Sequence, residues 1–307
     1  MKLNNIETNL LDAIANIKDI PEGALNIRKD GQALARSSSS NISITSMSDK
    51  PGMVVEVKSD TVNESVHVPV ILTQPGFQDK VYNTFIIGER ADVNIIAGCG
   101  IHNPSHMSSR HDGIHEIIVK KDAKMRYVEK HYGEGNEKGK NVLNPTTVIT
   151  LEEGAFAELE MVQIQGVDDT VRSTKAYVKA NASLKIVERL LTDGTQSAES
   201  TINIYIDGKN GSAQIISRSV AQDDSYQGFH ASLIGKTECL GHVECDAIIM
   251  DNAKIKAVPE LWAENSNAVL THEAAIGKIA GEQLIKLMSL GLTEQEAIDT
   301  IINSFLK

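Results

Sequence analysis

Aromatic residues and cysteines are scarce in this 307-residue chain. Phe, Trp and Tyr make up only 4% of it, which weakens any role that needs stacking platforms for sugars or nucleobases. There are three cysteines, and Cys99 lies far in sequence from Cys239 and Cys245. A disulfide framework is therefore not expected. We expect a reducing, cytoplasmic setting instead.

Long apolar runs and basic clusters are also missing. No apolar run is long enough to cross a membrane, and Asn, Glu and Asp interrupt the N-terminal segment where a signal peptide would need an apolar core. The formal net charge is −11. Nucleic acid and acidic membrane surfaces are therefore not expected as partners.

The sequence does contain a clear change of period. Apolar residues at helical spacing predict one amphipathic helix over residues 4–18, followed by a polar loop at Ser37–Ser40. From about residue 41 the apolar period becomes two, which is typical of strands separated by turn residues. After residue 275 the helical period returns. We predict an N-terminal helix and linker (1–40), a β core (41–275) and a C-terminal helical segment (276–307).

An alanine repeat runs through the β core. Ala follows a turn residue and precedes apolar residues at every second position, at Ala91, Ala123, Ala155, Ala182, Ala213 and Ala253. Recurrence on the scale of 30 residues is typical of stacked or solenoid architectures. Because the units are strand–turn–strand without helices, the repeat favours a β-helix-like coil. An ordinary β-sandwich with short hairpins is the alternative.

The C-terminal segment predicts two amphipathic helices, with a capping box at Thr293–Glu296. Their apolar faces must be covered, either by the rest of the chain or by a partner protein. The candidate partner-binding residues on these faces are Leu284, Leu287, Met288, Ile298, Ile301, Ile302 and Phe305.

Possible metal ligands gather in residues 237–275. Cys239, His242 and Cys245 have zinc-knuckle spacing, but no second ligand pair follows nearby, so a structural zinc site is not expected. By strand parity Cys245 is a core-like cysteine. His272 takes an aliphatic slot in a short seventh copy of the repeat. Adjacent strand residues point to opposite faces, so His272 and Glu273 can share a site only at a bend or an edge.

A second polar group lies in segment 99–116, which contains Cys99, His102, His106, His111, His115 and Glu116. Its order, H-D-G-I-H-E, is not a catalytic zinc signature. We favour a polar loop running into a strand, with the histidines hydrogen-bonded across it, and keep an auxiliary metal or interface role as the alternative.

The C-terminal part resembles the SufB/SufD family of iron–sulfur cluster assembly scaffolds, in particular its short, archaeal-type single-scaffold members. The resemblance covers roughly residues 63–307. It is carried by Cys245-Asp246, Pro259-Glu260, His272-Glu273-Ala274, Gly277-Lys278-Ile279 and Glu282-Gln283-Leu284 leading to Gly291, and upstream by SVHVPVIL and IGERADVNIIAGC.

The resemblance implies a right-handed parallel β-helix with a C-terminal helical segment that binds a SufC-type ABC ATPase. It further implies a dimer, here a homodimer, in which a transient iron–sulfur cluster forms near the interface. Cys245, His272 and Glu273 match the family's ligand candidates, and Cys239, His242 and Cys99 are secondary ones. A sulfur donor protein and apo-acceptor proteins would be further partners. Flavin binding stays undecided, since no flavin motif is present.

The ligand chemistry agrees with a scaffold rather than a resident cluster. Stable clusters usually take four thiolates, and this chain offers three cysteines of which one is remote. The alternatives are a β-helix enzyme acting on polysaccharide, with Glu158, Glu160 or Glu188 as acid and base, and a metal-free adaptor for the ATPase.

Overall fold

The structure is a computed structural model that describes residues 3–135 and 139–307. Within these residues it contains three helices and twenty strands. The helices are α1 (Asn5–Ala15), α2 (Gly281–Ser289) and α3 (Glu294–Phe305). The strands are β1 (Ala24–Lys29), β2 (Gln32–Ser37), β3 (Ile42–Ser46), β4 (Gly52–Val57), β5 (Val62–Leu72), β6 (Gln78–Ile87), β7 (Asp92–His102), β8 (Ser109–Val119), β9 (Lys124–Glu134), β10 (Asn141–Leu143), β11 (Thr146–Leu151), β12 (Phe156–Gln163), β13 (Asp169–Val178), β14 (Ser183–Thr192), β15 (Ser197–Ile206), β16 (Gly211–Ala221), β17 (Tyr226–Gly235), β18 (Cys239–Ile249), β19 (Lys254–Ala263) and β20 (Ala268–Gly277).

The strands form two long sheets. Sheet A has the order β2-β1-β5-β7-β9-β12-β14-β16-β18-β20, and sheet B has the order β19-β17-β15-β13-β10-β8-β6-β4-β3, with β11 also pairing β13 and β8. From β4 onward the chain alternates between the sheets, except that β10 and β11 both lie in sheet B, and strands of successive coils pair in parallel. This is a β-solenoid of about eight turns. The predicted β-helix core is confirmed, and the sandwich alternative fails because hairpin-linked strands would pair antiparallel.

The alanine repeat marks a stacked corner of the solenoid. Ala91, Ala123 and Ala155 are at most 1% exposed. The residue before each of them has a left-handed backbone, with φ 56° at Arg90 and at Asp122. The turns hydrogen-bond along the stack, as where the Arg90 amide donates to Lys121. A small side chain after each turn lets the coils approach closely.

One member of that repeat lies elsewhere. Ala253 precedes β19 of sheet B, whereas Ala91 precedes β7 of sheet A. The pattern of turn residue, Ala and alternating apolar residues is common to both corners, because both place a buried residue directly after a tight turn. The alanine pattern therefore marks corners of both sheets rather than a single one.

The N-terminal end of the solenoid is closed. Helix α1 packs its apolar face against sheet A, where Leu10, Leu11 and Ile14 are fully buried. Strands β1 and β2 form an antiparallel hairpin, and β3 and β4 form another. Residues 24–37 are thus strands, where a linker was expected within residues 1–40. Strand β1 pairs in parallel with β5 and antiparallel with β2, so the two strands extend sheet A.

The C-terminal end is different. Strands β19 and β20 are the last strands of their sheets, and each pairs on one side only among the described residues. Helices α2 and α3 follow. Ala297 and Ile302 of α3 are buried, and the Arg189 guanidinium on sheet A donates to the Lys307 carbonyl at 2.8 Å. No helix among the described residues is long and apolar enough to span a membrane.

Candidate functional site

The candidate ligands lie on the last two strands of sheet A. β18 pairs in parallel with β20, so that Val243 faces His272, Glu244 faces Glu273 and Cys245 faces Ala274. Paired residues in parallel strands point to the same side of a sheet, and neighbours along a strand point to opposite sides. The register therefore sorts the candidates into two groups on opposite faces of one sheet.

Cys245 points into the solenoid and is 3% exposed. Burial raises the pKa of its thiol to about 11, and the nearby Asp246 and Glu188 carboxylates act in the same direction. The thiol is thus protonated at neutral pH, and a metal ion or a rearranged interface is needed to hold the thiolate. Cys239 is also buried and faces inward, and burial raises the pKa of its thiol too.

His272 lies on the same inner face as Cys245, diagonally across the two strands. Its side chain is nevertheless exposed, because β20 is the last strand of sheet A and no described residue forms a coil beyond it. This explains why a histidine stands where the other repeats have an aliphatic residue. In the last coil an inward-pointing side chain reaches solvent rather than the core. A soft thiol and an imidazole thus share one face at the end of the solenoid.

Glu273 points to the outer face of sheet A. There its Oε1 lies 3.4 Å from His242 Nε2, and the His242 Nδ1 lies 2.9 Å from the Thr271 hydroxyl. One ligand atom each from His242, Glu244 and Glu273 lie within 4.8 Å of one another. Sheet A therefore separates Glu273 from Cys245 within one chain, and His242 lies with Glu273 rather than with the cysteines.

The histidine-rich segment is largely internal structure. His111 and His115 are buried in β8, with His111 Nδ1 3.0 Å from Asp79 and His115 Nδ1 3.4 Å from Asn83. The prediction of hydrogen-bonded histidines is confirmed for these two. His102 contacts Glu134 at 2.7 Å. His106 is exposed in the loop before β8, and Glu116 is exposed on β8.

Cys99 is remote from the terminal coil. It is buried in β7, where burial raises the pKa of its thiol well above the ordinary value, and the Asp79 and Glu129 carboxylates add to the effect. β7 is separated from β18 by four strands of sheet A. In the folded chain Cys99 is therefore not part of the terminal constellation.

The candidate partner-binding residues differ in exposure. Ile302 is only 6% exposed and packs within the chain, so it is not available to a partner. Met288 is 42% exposed, and the others are partly buried: Leu284, Leu287, Ile298, Ile301 and Phe305. The most exposed apolar residues of the segment, Ile285 and Leu290 at 69% and 75%, were missed. They lie off the stripe that the helical period selects, so no periodic signal marks them.

The carboxylates proposed for an enzyme are held in ion pairs. Lys185 lies 2.9 Å from Glu158, and both Arg126 and Arg189 bind Glu160. Burial alone would raise the pKa of Glu160, but the two guanidinium groups outweigh it and lower that pKa. The buried Glu188 accepts a hydrogen bond from Ser200 at 2.8 Å. A general acid needs a raised pKa, so the lowered pKa of Glu160 does not suit it to protonate a glycosidic oxygen.

Glu244 is the functional candidate that sequence reasoning missed. Its signal was present, because the sequence His242-x-Glu244 places two possible ligands on one face of a strand. Only the pairing of β18 with β20 shows that Glu273 joins them. The register between strands 29 residues apart could not be read from the local pattern.

Comparison with known proteins agrees with this architecture. The family model described as "SUF system FeS cluster assembly, SufBD core domain" matches residues 73–305. A SufBD family protein for iron–sulfur cluster assembly from Archaeoglobus fulgidus is 32% identical over 75% of this chain and 61% of its own length. Similar proteins from Methanothermobacter thermautotrophicus (strain Winter) and Methanocaldococcus jannaschii are 30% and 25% identical over 73% and 78% of this chain.

The match spans 54% of the Methanothermobacter protein's length and 76% of the Methanocaldococcus protein's. The matched region contains most of the solenoid, the open terminal coil and both C-terminal helices. By this match the chain belongs to the SufBD family, whose members are named for iron–sulfur cluster assembly.

Proposed function

We propose that this chain is a scaffold on which a labile iron–sulfur cluster is assembled at the open end of the solenoid. Cys245 and His272 are its first ligands, and a second copy of the chain completes the site. Glu273 reaches such a site only around the free edge of β20. The observation that carries the proposal is the shared inner face of Cys245 and His272 on the last two strands of sheet A, where β20 has one edge unpaired among the described residues.

The terminal coil supports a dimer of identical chains. β19 and β20 each leave one edge unpaired among the described residues, and Trp262, Val269 and Ile276 are 66%, 55% and 45% exposed there. Free strand edges beside exposed apolar side chains favour pairing with another chain. In a two-fold dimer each copy would supply the same ligands, so one chain type would suffice.

The ligand set supports transfer of the cluster rather than storage. Each chain supplies one thiolate and one imidazole to the site. A dimer therefore offers fewer thiolates than the four that a stable cluster usually takes. Cys245 is also the group to which a sulfur donor would deliver sulfur, once its proton is lost. Apo-acceptor proteins would receive the finished cluster, and the chain itself would catalyse no reaction.

The C-terminal helices are the proposed binding surface for an ABC ATPase of the SufC type. Met288, Ile285 and Leu290 present apolar surface that the described residues of the chain leave uncovered. An amphipathic helix of this kind docks into an apolar groove of a partner. Hydrolysis of ATP would then take place in the partner.

Anaerobic reconstitution with ferrous iron and sulfide tests the cluster site. The wild-type chain should gain visible absorption from an iron–sulfur chromophore, and Cys245→Ala should lose most of it. Cys99→Ala is the matched control, since it removes an equally buried thiol from the far part of the solenoid and should leave the absorption unchanged.

Two results would decide against the proposal. An undiminished chromophore in Cys245→Ala would exclude the assigned ligand. No iron in any state, together with co-purification of the ATPase, would instead indicate a metal-free adaptor.

A further inference from the structure

We propose that the outer face of sheet A holds a divalent metal ion between His242, Glu244 and Glu273, at a site separate from the Cys245 thiol. The identity of the ion rests on the proposed function. There, the ion is ferrous iron that is bound before it is incorporated into the cluster. The open end of the solenoid would thus carry two sites back to back, one for iron and one for sulfur.

The geometry of the three side chains suits one ion. Their ligand atoms lie within 4.8 Å of one another, although each comes from a strand held in a regular parallel ladder. A site built on paired strands is held more firmly than one on loops. His242 and Glu244 are half-buried, while the Glu273 side chain is 68% exposed, so the site is open to solvent on one side.

A hydrogen bond sets the orientation of the imidazole. The Thr271 hydroxyl lies 2.9 Å from His242 Nδ1 and 3.5 Å from the Gly241 carbonyl oxygen. If the hydroxyl donates its single proton to that carbonyl, its oxygen accepts from Nδ1–H. This tautomer leaves the lone pair of Nε2 directed toward Glu273. Histidine ligands of metal ions are commonly held in this way by a partner on the other ring nitrogen.

The ligand types select the class of metal. One imidazole and two carboxylates are borderline and hard donors, which suit ferrous iron, manganese and zinc and do not suit cuprous copper. Three protein ligands leave coordination positions for water, so a bound ion can exchange. Arg218 lies 3.7 Å from Glu244 and competes for it, which further favours release over permanent binding.

The backbone keeps this site apart from the thiol. Glu244 and Cys245 are neighbours on β18 and so point to opposite faces of sheet A. His272 and Glu273 are divided in the same way on β20. Because β20 is the free edge, an ion can pass from the outer site to the inner face around that strand without crossing the sheet.

Titration of the metal-free chain with Co²⁺ under anaerobic conditions tests the site, because cobalt reports its ligands in the visible spectrum. The wild-type chain should bind one ion with ligand-field bands and no thiolate-to-cobalt charge-transfer band. His242→Asn and Glu244→Gln should each weaken binding by about tenfold or more, since even loss of a ligand's outer partner costs that much.

Two control variants make the test specific. Asp246→Asn removes the same charge from the same strand and face and should bind cobalt as the wild type does. Cys245→Ala should also bind normally. Circular dichroism on each variant shows that it is folded. The half-buried positions of His242, Glu244 and Asp246 favour this, whereas Cys245→Ala changes a buried residue and needs the check most.

Either of two results overturns the proposal: unchanged affinity in His242→Asn, or a charge-transfer band that disappears in Cys245→Ala. If cobalt binds as expected while iron and sulfide give no chromophore, the cluster scaffold fails and the outer metal site stands. If the chromophore forms but cobalt binding does not depend on His242, the scaffold stands and the outer site fails.

Discussion

The two ends of the solenoid differ in how they finish the sheets. At the N-terminal end, two antiparallel hairpins and helix α1 cover the first coils, and Leu10 and Ile14 are fully buried. At the C-terminal end, β19 and β20 leave Trp262, Val269 and Ile276 exposed. Stacked repeats need a cap at each end to stay soluble. The exposed end is therefore the one expected to be covered by another molecule, and it is the end that carries the candidate ligands.

The same difference separates two kinds of polar residue. In the interior coils Glu129 is 5% exposed, and its Oε1 lies 3.6 Å from both His115 and His131. Burial alone would raise the pKa of Glu129, but the two histidines hold it well below its usual range. Such groups stabilise one buried arrangement. His272 and Glu273 are exposed instead, so their side chains are accessible to solvent.

Truncating one apolar side chain at each end should give the largest difference in unfolding free energy between the two ends. Leu10→Ala leaves a cavity under α1 and should cost about 2–5 kcal/mol of unfolding free energy. Trp262→Ala removes a larger side chain that is 66% exposed, and it should change the stability of the monomer little. Urea unfolding at low protein concentration measures both. Equal losses would show that the C-terminal end is covered within the monomer.

Charged substitutions at the open end should weaken the proposed dimer. Trp262→Asp or Ile276→Asp places a carboxylate in the contact and should raise the dissociation constant by at least about tenfold, or about 1.4 kcal/mol. Val62→Asp is the matched control, since Val62 is 56% exposed but lies on β5 near the capped end. Sedimentation velocity over a concentration series reads out the dimer. If only Val62→Asp disrupted the dimer, the interface would lie at the N-terminal end and the proposed one would be excluded.

The contrast between the ends explains what the sequence could predict. Period-two alternation and the small residues after turns are local signals, so the coil architecture and the buried state of Cys245 followed from them. Strands β1 and β2 could not be predicted in this way, because their stability comes from pairing with β5 and with each other.

The candidate site was predictable only in part for the same reason. Parity alone showed that His272 and Glu273 face opposite ways, but the open surface beyond β20 makes an inward histidine accessible. The grouping of Glu273 with His242 and Glu244 depends on a register between distant strands. Local patterns carry no information about that register beyond the requirement that buried faces match.

Two capping boxes, one at each end of the chain, allow a smaller test by pH. In α1 the Glu7 carboxylate accepts from the Asn4 amide and lies 2.7 Å from Lys29. Burial alone would raise the pKa of Glu7, but these hydrogen bonds outweigh it and lower that pKa below 4.5. In α3 the hydrogen bonds from Thr293 likewise lower the pKa of the exposed Glu296.

A carboxyl group whose pKa is lower in the folded state stabilises the fold above its unfolded pKa, and that contribution is lost as the pH falls through the folded pKa. Glu7→Gln should therefore cost about 1 kcal/mol near neutral pH, the usual net value of one hydrogen bond. The cost should vanish in acid, where the wild-type carboxyl is protonated. Urea unfolding of both proteins at the two pH values measures this difference.

Glu296→Gln should lose less unfolding free energy at neutral pH than Glu7→Gln, because the partners of Glu296 are exposed and α3 lies beyond the open coil. A larger loss for Glu296→Gln would mean that the C-terminal helices, rather than α1, secure the solenoid.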